Sequence, residues 1–145
     1  MPFAGFAVTK PNKVEILKYL DELDPLCAKM GACNTVAIQN GRLIGYNTDG
    51  IGFRVSLKEE TGLNVAEKTF FCAGAGGAGR AICCVLADDR AKKIYIYDKI
   101  DSRAKTLAED INKSFGPIGE FVPFEEAFAL MMESCGWENR WLPEK

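Results

Sequence analysis

The feature that most constrains this fold is a run of glycines set between an apolar strand and a helix. Residues 68–89 read KTFFCAGAGGAGRAICCVLADD. TFFCA (69–73) is a continuous apolar stretch of the kind buried on both faces of a parallel sheet. GAGGAG (74–79) satisfies G-x-G-x-x-G through Gly74, Gly76 and Gly79, and AGRAICCVLA has helical composition and ends in polar residues. Strand, loop and helix in that order give the pattern its meaning as a dinucleotide fingerprint. Gly74 permits a tight turn, Gly76 lets backbone approach a pyrophosphate, and Gly79 lets the helix pack close to the sheet. The free N–H groups and partial positive charge of the helix start face the anion. Gly74, Ala75, Gly76, Gly77 and Ala78 are therefore the expected pyrophosphate loop. A ligand-free glycine turn is the plain alternative, and methyltransferases use a similar loop for S-adenosylmethionine.

The same alternation continues downstream. KKIYIYD (92–98) reads as a second strand and DSRAKTLAEDINKSFG (101–116) as an amphipathic helix. Asp101 or Ser102 is the expected cap, Leu107 and Ile111 share a face, and Gly116 is the stop. GEFVPF (119–124) is a short third strand and EEAFALMMESC (125–135) a further helix. Such alternation predicts a doubly wound α/β unit with a parallel sheet. Asp98 ends the second strand about 24 residues after Gly74, near the roughly 20 expected for an acid on the ribose hydroxyls. Asp101 is a second candidate. An acid there disfavours a 2′-phosphate and leans the cofactor towards NAD, whereas Lys99 and Arg103 could clamp that phosphate in NADP. The plain alternatives are a strand-end turn residue for Asp98 and an N-cap for Asp101.

The first 65 residues are less regular. GFAVT (5–9) reads as a short strand, KVEILKYLDEL (13–23) as a helix with Val14, Leu17 and Leu20 or Ile16, Leu20 and Leu23 on one side. Pro25 starts a short helix through Met30. NTVAIQNGRLIGYN places two apolar runs around Asn40-Gly41, a strong hairpin signal. GIGFRVSLKEETG (50–62) is a helix leading into the second half, with the division near 63–67. Ahead of that helix, GYNTDG (45–50) loads Asn47, Thr48 and Asp49 into one turn. All three are good helix caps; the alternative is a carboxylate held at a strand end for chemistry.

Composition narrows that chemistry. The chain has no histidine, so a general acid or base must be Asp, Glu, Lys, Tyr or Cys. A net charge of -2 gives no basic surface for a nucleic-acid partner. No apolar run approaches the roughly 20 residues of a membrane span, and the start lacks a signal-type core, so the cytoplasm is the default compartment. The six cysteines include no C-x-x-C pair; they read as small core residues rather than metal ligands.

VTKPNK (8–13), GACNT (31–35), GYNTDG (45–50) and GAGGAGRA (74–81) occur in that order. Together they resemble the shikimate dehydrogenase family, over roughly residues 4–115, with PNK and the acids after the second strand most similar to its quinate/shikimate branch. The resemblance implies a partial substrate-binding α/β domain (1–64), a partial Rossmann-type doubly wound domain (65–134) and an atypical tail (135–145). It implies Lys13 and Asp49 as the catalytic pair. Thr9 and Asn34, with Lys13 and Asp49, would contact substrate hydroxyls. The reaction implied is reversible NAD(P)-dependent reduction of 3-dehydroshikimate to shikimate, or of 3-dehydroquinate to quinate. Residues 74–78 would hold the cofactor, with no metal. Without a histidine, a lysine ammonium oriented by an aspartate is a sensible proton relay, provided the two converge. The family's opening region with its substrate-gripping serines and its later segments have no counterpart here. The sequence therefore reads as truncated at both ends, with GFAVT left on an unpaired edge and a complementing chain or homo-oligomer as a possible partner. Cys33 stands where an aliphatic residue is usual, and Gly79 where alanine is common.

Overall fold

The structure, a computed structural model, describes residues 3–135. The expected tail lies outside the described residues from 136 onward. The elements divide between two sheets. The first has the order β1-β3-β4-β2, from Gly5–Ala7 (β1), Glu22–Leu23 (β2), Thr35–Gln39 (β3) and Arg42–Tyr46 (β4). β3 and β4 form the expected hairpin, and Asn40 and Gly41 both turn at positive φ, 51° and 77°. That is the primed turn whose twist matches the flanking strands. β1 pairs antiparallel with β3 and occupies the end of the sheet.

The helix expected over 13–23 does not form as such. Only Glu15–Tyr19 is helical, as a 3₁₀ turn, and Leu20 then swings to an extended backbone with ψ 142°. The cause is competition for the backbone. Asp21 N–H donates to Leu43 O at 3.0 Å and Asp24 N–H to Gly45 O at 2.9 Å, so 22–23 runs parallel to β4. The apolar spacing still buries Ile16, Leu17, Leu20 and Leu23 against Cys27, Cys33 and Val36. α1, Pro25–Met30, follows the sequence closely: the Asp24 carboxylate accepts from Leu26 N and Cys27 N, and Gly31 ends the helix at φ 61°.

The second sheet is parallel throughout, in the order β5-β6-β7, from Thr69–Ala73, Lys93–Tyr97 and Gly119–Phe121. α3 (Gly77–Asp88) and α4 (Asp101–Phe115) pack on it, with Ile94 and Ile96 of β6 buried in one cluster with Ala81, Val85, Leu107 and Ile111. α5, Phe124–Cys135, packs against β6. Its Phe124 meets Tyr97, which alternates away from Ile96 to the other face of the sheet. Helices on both faces make the doubly wound arrangement. Neither Asp101 nor Ser102 caps α4. The N-cap position is Ile100, without a side-chain cap bond, and the Asp98 carboxylate accepts from Ile100 N instead.

α2, Thr48–Thr61, joins the sheets by lying across α3. The approach is close because Gly50 has no side chain: a Cβ there would sit 2.4 Å from Met30 Cε and 2.8 Å from Val85 Cγ2. Phe53 and Leu57 of α2 pack on the same core cluster as α3. Arg54 extends the seam by donating to Asp89 and Asp88, each at 2.9 Å. Cys27, Cys33, Cys83 and Cys84 are buried, as small core residues should be. Among the described residues no helix is long and apolar enough to cross a membrane.

Candidate active site

The site begins where β4 hands over to α2. Asn47, only 2% exposed, is the N-cap. Its Nδ2 donates to Ala32 O at 2.8 Å, and its Oδ1 accepts from the N–H groups of Asp49 (3.1 Å) and Gly50 (3.4 Å). Because Asn47 performs the capping, the Asp49 carboxylate is released for other contacts. Oδ2 of Asp49 accepts from Lys13 Nζ at 2.6 Å, and Oδ1 accepts from Asn34 Nδ2 at 2.8 Å. Asn34 is itself held through its Oδ1, which accepts from Thr48 N–H at 2.9 Å and Thr35 Oγ1 at 3.0 Å. Three segments far apart in sequence thus converge on one carboxylate.

Backbone bonds fix this convergence. Cys33 N–H donates to Lys13 O at 2.7 Å, and Val8 N–H to Asn34 O at 2.7 Å, tying VTKPNK to GACNT. The Lys13 and Asp49 side chains are 20% and 34% exposed, a pair reachable by a small molecule yet shielded from bulk water. Thr9 stands to one side. It is exposed and, with Phe6, Asn12, Ile16 and Tyr19, lines a groove of about 380 Å³.

The glycine loop closes the other side of the site. Gly74 adopts φ 117°, which a side chain would resist, and its N–H donates to Tyr97 O at 2.7 Å. A Cβ on Gly79 would fall 1.9 Å from Gly74 O, so glycine is what lets α3 press against the end of β5. Gly76 is the N-cap of α3 and makes no side-chain cap bond. Gly77 faces Lys13: a Cβ there would be 3.1 Å from Lys13 Cδ. The expected loop of Gly74, Ala75, Gly76, Gly77 and Ala78 thus meets Lys13 at Gly77.

Asp98 lies under this loop. It is 8% exposed. Its Oδ2 accepts from Ala75 N–H at 2.8 Å and its Oδ1 from Ile100 N–H at 2.9 Å. The Ala75 N–H, more than any other group, holds its carboxyl below the usual carboxylate range. Asp98 is thus a brace that shapes the loop, with both oxygens engaged by backbone. Lys99 and Asp101 are exposed just beyond it. Sequence reasoning missed the separate parts played by Asn47 and Gly50. The signal was in NTDG, where the cap is the asparagine that can also donate to a neighbouring loop.

The family model described as shikimate dehydrogenase substrate binding domain matches residues 1–36, which carry Thr9, Lys13 and Asn34. Shikimate dehydrogenase (NADP(+)) of Methanocaldococcus jannaschii is 49% identical over 114 residues, 77% of this chain. Over its matched segments the chain is similar to shikimate dehydrogenases. The crystal structure of shikimate 5-dehydrogenase from Listeria monocytogenes, in complex with shikimate and NAD, matches 92% of the chain with a TM-score of 0.81 and 37% identity. Quinate dehydrogenase from Corynebacterium glutamicum, in complex with NAD, matches 83% of it at a TM-score of 0.76 and 34% identity. The chain spans less than half the length of these family members: 40% of the M. jannaschii protein, 47% of the L. monocytogenes chain and 43% of the C. glutamicum chain.

Proposed function

We propose that this chain carries the proton-transfer and dinucleotide-binding centre of an NAD(P)-dependent dehydrogenase that interconverts shikimate and 3-dehydroshikimate. The observation that carries the proposal is the 2.6 Å contact between Lys13 Nζ and Asp49 Oδ2 beside the glycine loop. The loop fits a nicotinamide dinucleotide. A Cβ on Gly76 would meet nothing within 4 Å, so backbone is open to an approaching pyrophosphate, and the first turn of α3 is free of any side-chain cap. Gly74 to Ala78 would hold that pyrophosphate, and the bound cofactor would supply the hydride.

The chain's own residues handle the rest. Reducing a ketone places a hydride on carbon and requires a proton on oxygen. Lys13 donates that proton from Nζ to the developing alkoxide and takes one back in the reverse direction. Asp49 orients the ammonium and offers its carboxylate to a neighbouring hydroxyl. Asn34 holds Asp49 in that pose, and Thr9 offers a hydroxyl from the groove. A positioned acid–base group of this kind is worth about 10²–10⁴-fold in rate.

The cofactor reading supported best is NAD or NADP without a fixed preference. The M. jannaschii relative is named for NADP(+), while the L. monocytogenes structure holds NAD. The expected lean towards NAD rested on an acid after the second strand, Asp98 or Asp101, and on the resemblance to the quinate/shikimate branch; the Asp98 oxygens accept from Ala75 and Ile100. Exposed Lys99 and Asp101 then pull in opposite directions on a 2′-phosphate. Quinate is the alternative substrate, supported by the likeness to quinate dehydrogenase.

A second reading, dinucleotide binding without turnover, has its own observation. Among the described residues, the groove beside Thr9 is lined by Glu15 and by no cation, so a substrate carboxylate finds no charge partner among them. One assay separates the readings. Purified chain is mixed with shikimate or quinate and NAD or NADP, and absorbance of the reduced cofactor is followed. Turnover that disappears in Lys13→Ala supports the first reading. Cofactor binding without turnover supports the second, and binding of S-adenosylmethionine in place of both nicotinamide cofactors overturns both.

A further inference from the structure

Two cysteines meet directly behind the glycine loop. Cys72 lies near the end of β5, and its side chain packs on the core cluster that α3 covers. Cys83 follows Gly79 by four residues on α3, so the two share a helix face. A Cβ on Gly79 would be 3.6 Å from Cys72 Sγ, so little separates helix from strand here. The Cys83 S–H donates to the Cys72 sulfur, and Cys72 in turn donates to Gly74 O at 3.5 Å. The neighbouring Cys84 is engaged elsewhere: its Sγ donates to Lys29 O at 3.7 Å.

The two thiols are unequal. Cys83 is fully buried, whereas Cys72 is partly exposed. The hydrogen bond from Cys83 holds the Cys72 thiol below its ordinary pKa against the opposing effect of burial. The same contact, reinforced by burial, pushes Cys83 up. A partly exposed, acidified thiol backed by a neutral one is the arrangement of a sensor cysteine and its resolving partner. Cys27 and Cys33 give the contrast within the same molecule. Their thiols also touch, yet both are fully buried, and burial pushes Cys27 up to about 12.

We infer that Cys72 and Cys83 form a peroxide-sensitive dithiol whose disulfide weakens the hold of the glycine loop on its ligand. The Cys72 thiolate attacks one oxygen of hydrogen peroxide. An S–O bond forms, the O–O bond breaks, and the departing hydroxide takes up the proton that Cys72 released. Cys83 then attacks the Cys72 sulfur. The S–S bond forms, the S–O bond breaks, and the second hydroxide leaves as water with the Cys83 proton. Two thiols and one peroxide thus give one disulfide and two waters; the sulfurs lose two electrons and the peroxide gains them. The disulfide carries no hydrogen for Gly74 O, and it ties β5 to α3 where the loop leaves the strand. The effect on a ligand rests on the dinucleotide reading above; the disulfide itself does not.

The test treats the full chain with equimolar hydrogen peroxide and reads intact mass, a non-reducing tryptic digest and calorimetric titration with NAD. Oxidation should remove two hydrogens and join peptide 69–80 to peptide 81–90. Dithiothreitol should reverse both changes. Cys84→Ser should still form the bond, while Cys83→Ser should leave Cys72 as a sulfenic acid that dimedone traps. NAD affinity should fall about fivefold on oxidation, the equivalent of one ordinary hydrogen bond, and return on reduction. Unchanged far-UV circular dichroism checks that each variant keeps its helices. A bond through Cys84, a bond between Cys27 and Cys33 in its place, or no bond at all overturns the dithiol. A bond between Cys72 and Cys83 with NAD affinity unchanged overturns the effect on the loop alone. Failure of the reduced chain to bind NAD overturns the dinucleotide reading and the loop effect with it, and the mass result then decides the dithiol by itself.

Discussion

Lys13 rests against Gly77, the first residue of α3, with 3.1 Å between its Cδ and the place a Cβ would occupy. One lysine thereby touches the glycine loop with its stem and Asp49 with its tip. The expected signature of this arrangement is a split between activity and stability. Lys13→Ala should lower turnover about 10²–10⁴-fold. The pair is part-exposed, so unfolding free energy should change by no more than about 1 kcal/mol. Steady-state rates and urea titration on the same preparations check both halves, and a large loss of stability would make Lys13 structural.

Asn47 should behave in the opposite way. Its Oδ1 caps α2 and its Nδ2 satisfies the Ala32 carbonyl, all in a nearly closed environment. Asn47→Ala removes a cap worth about 1 kcal/mol and leaves a carbonyl without its donor, which adds about 1–3 kcal/mol. The midpoint of urea unfolding should fall accordingly. Asn47→Asp should recover the cap but not the bond to Ala32.

Gly50→Val tests the seam between α2 and α3. The added Cβ alone would come closer to Met30 Cε and Val85 Cγ2 than packed carbons do, and within 3.1 Å of the Ala81 carbonyl, so these neighbours must shift. Overpacking of this kind costs about 1–3 kcal/mol. Turnover should fall as well, because Asp49 immediately precedes the residue being displaced. Stability and activity both unchanged would show that the seam is loose.

Asp98 sets a pH dependence. Its carboxyl titrates below the ordinary carboxylate range, chiefly because Ala75 N–H donates to it. A group whose folded pKa is depressed adds stability that is fully present above its unfolded pKa and is lost as pH falls through the folded value. Dinucleotide affinity and thermal stability should therefore decline together on acidification through that range. Asp98→Asn should flatten this part of the profile. A profile identical in the variant would assign the acid sensitivity to other carboxyls.

Much of this was legible in the sequence because local chemistry and global pairing agree there. Asn40-Gly41, the Asp24-Pro25 start of α1 and the 69–79 strand and glycine loop each carry their own geometric instruction, and each is found where the residues place it. The 13–23 segment shows the limit. Its apolar spacing suits a helix, but β4 offers backbone partners at Leu43 and Gly45 that a helix would forgo, and no local pattern announces a strand supplied from 20 residues away. The start of α4 misled for a related reason: Asp101 and Ser102 are good caps in isolation, yet Asp98 reaches the Ile100 amide first. The Lys13–Asp49 pairing came from motif order, since neither residue alone differs from a solvated lysine or a cap.

The Arg54 fork onto Asp88 and Asp89 bears on how the molecule can move. α2 carries Asp49 in its first turn and is clasped lower down by the far end of α3, whose own first turn borders Lys13. A rigid swing of one sheet away from the other about the 62–68 connection would have to tear this clasp and slide Gly50 out of its notch. Such a swing is therefore resisted at two places, the Arg54 fork and the Gly50 notch.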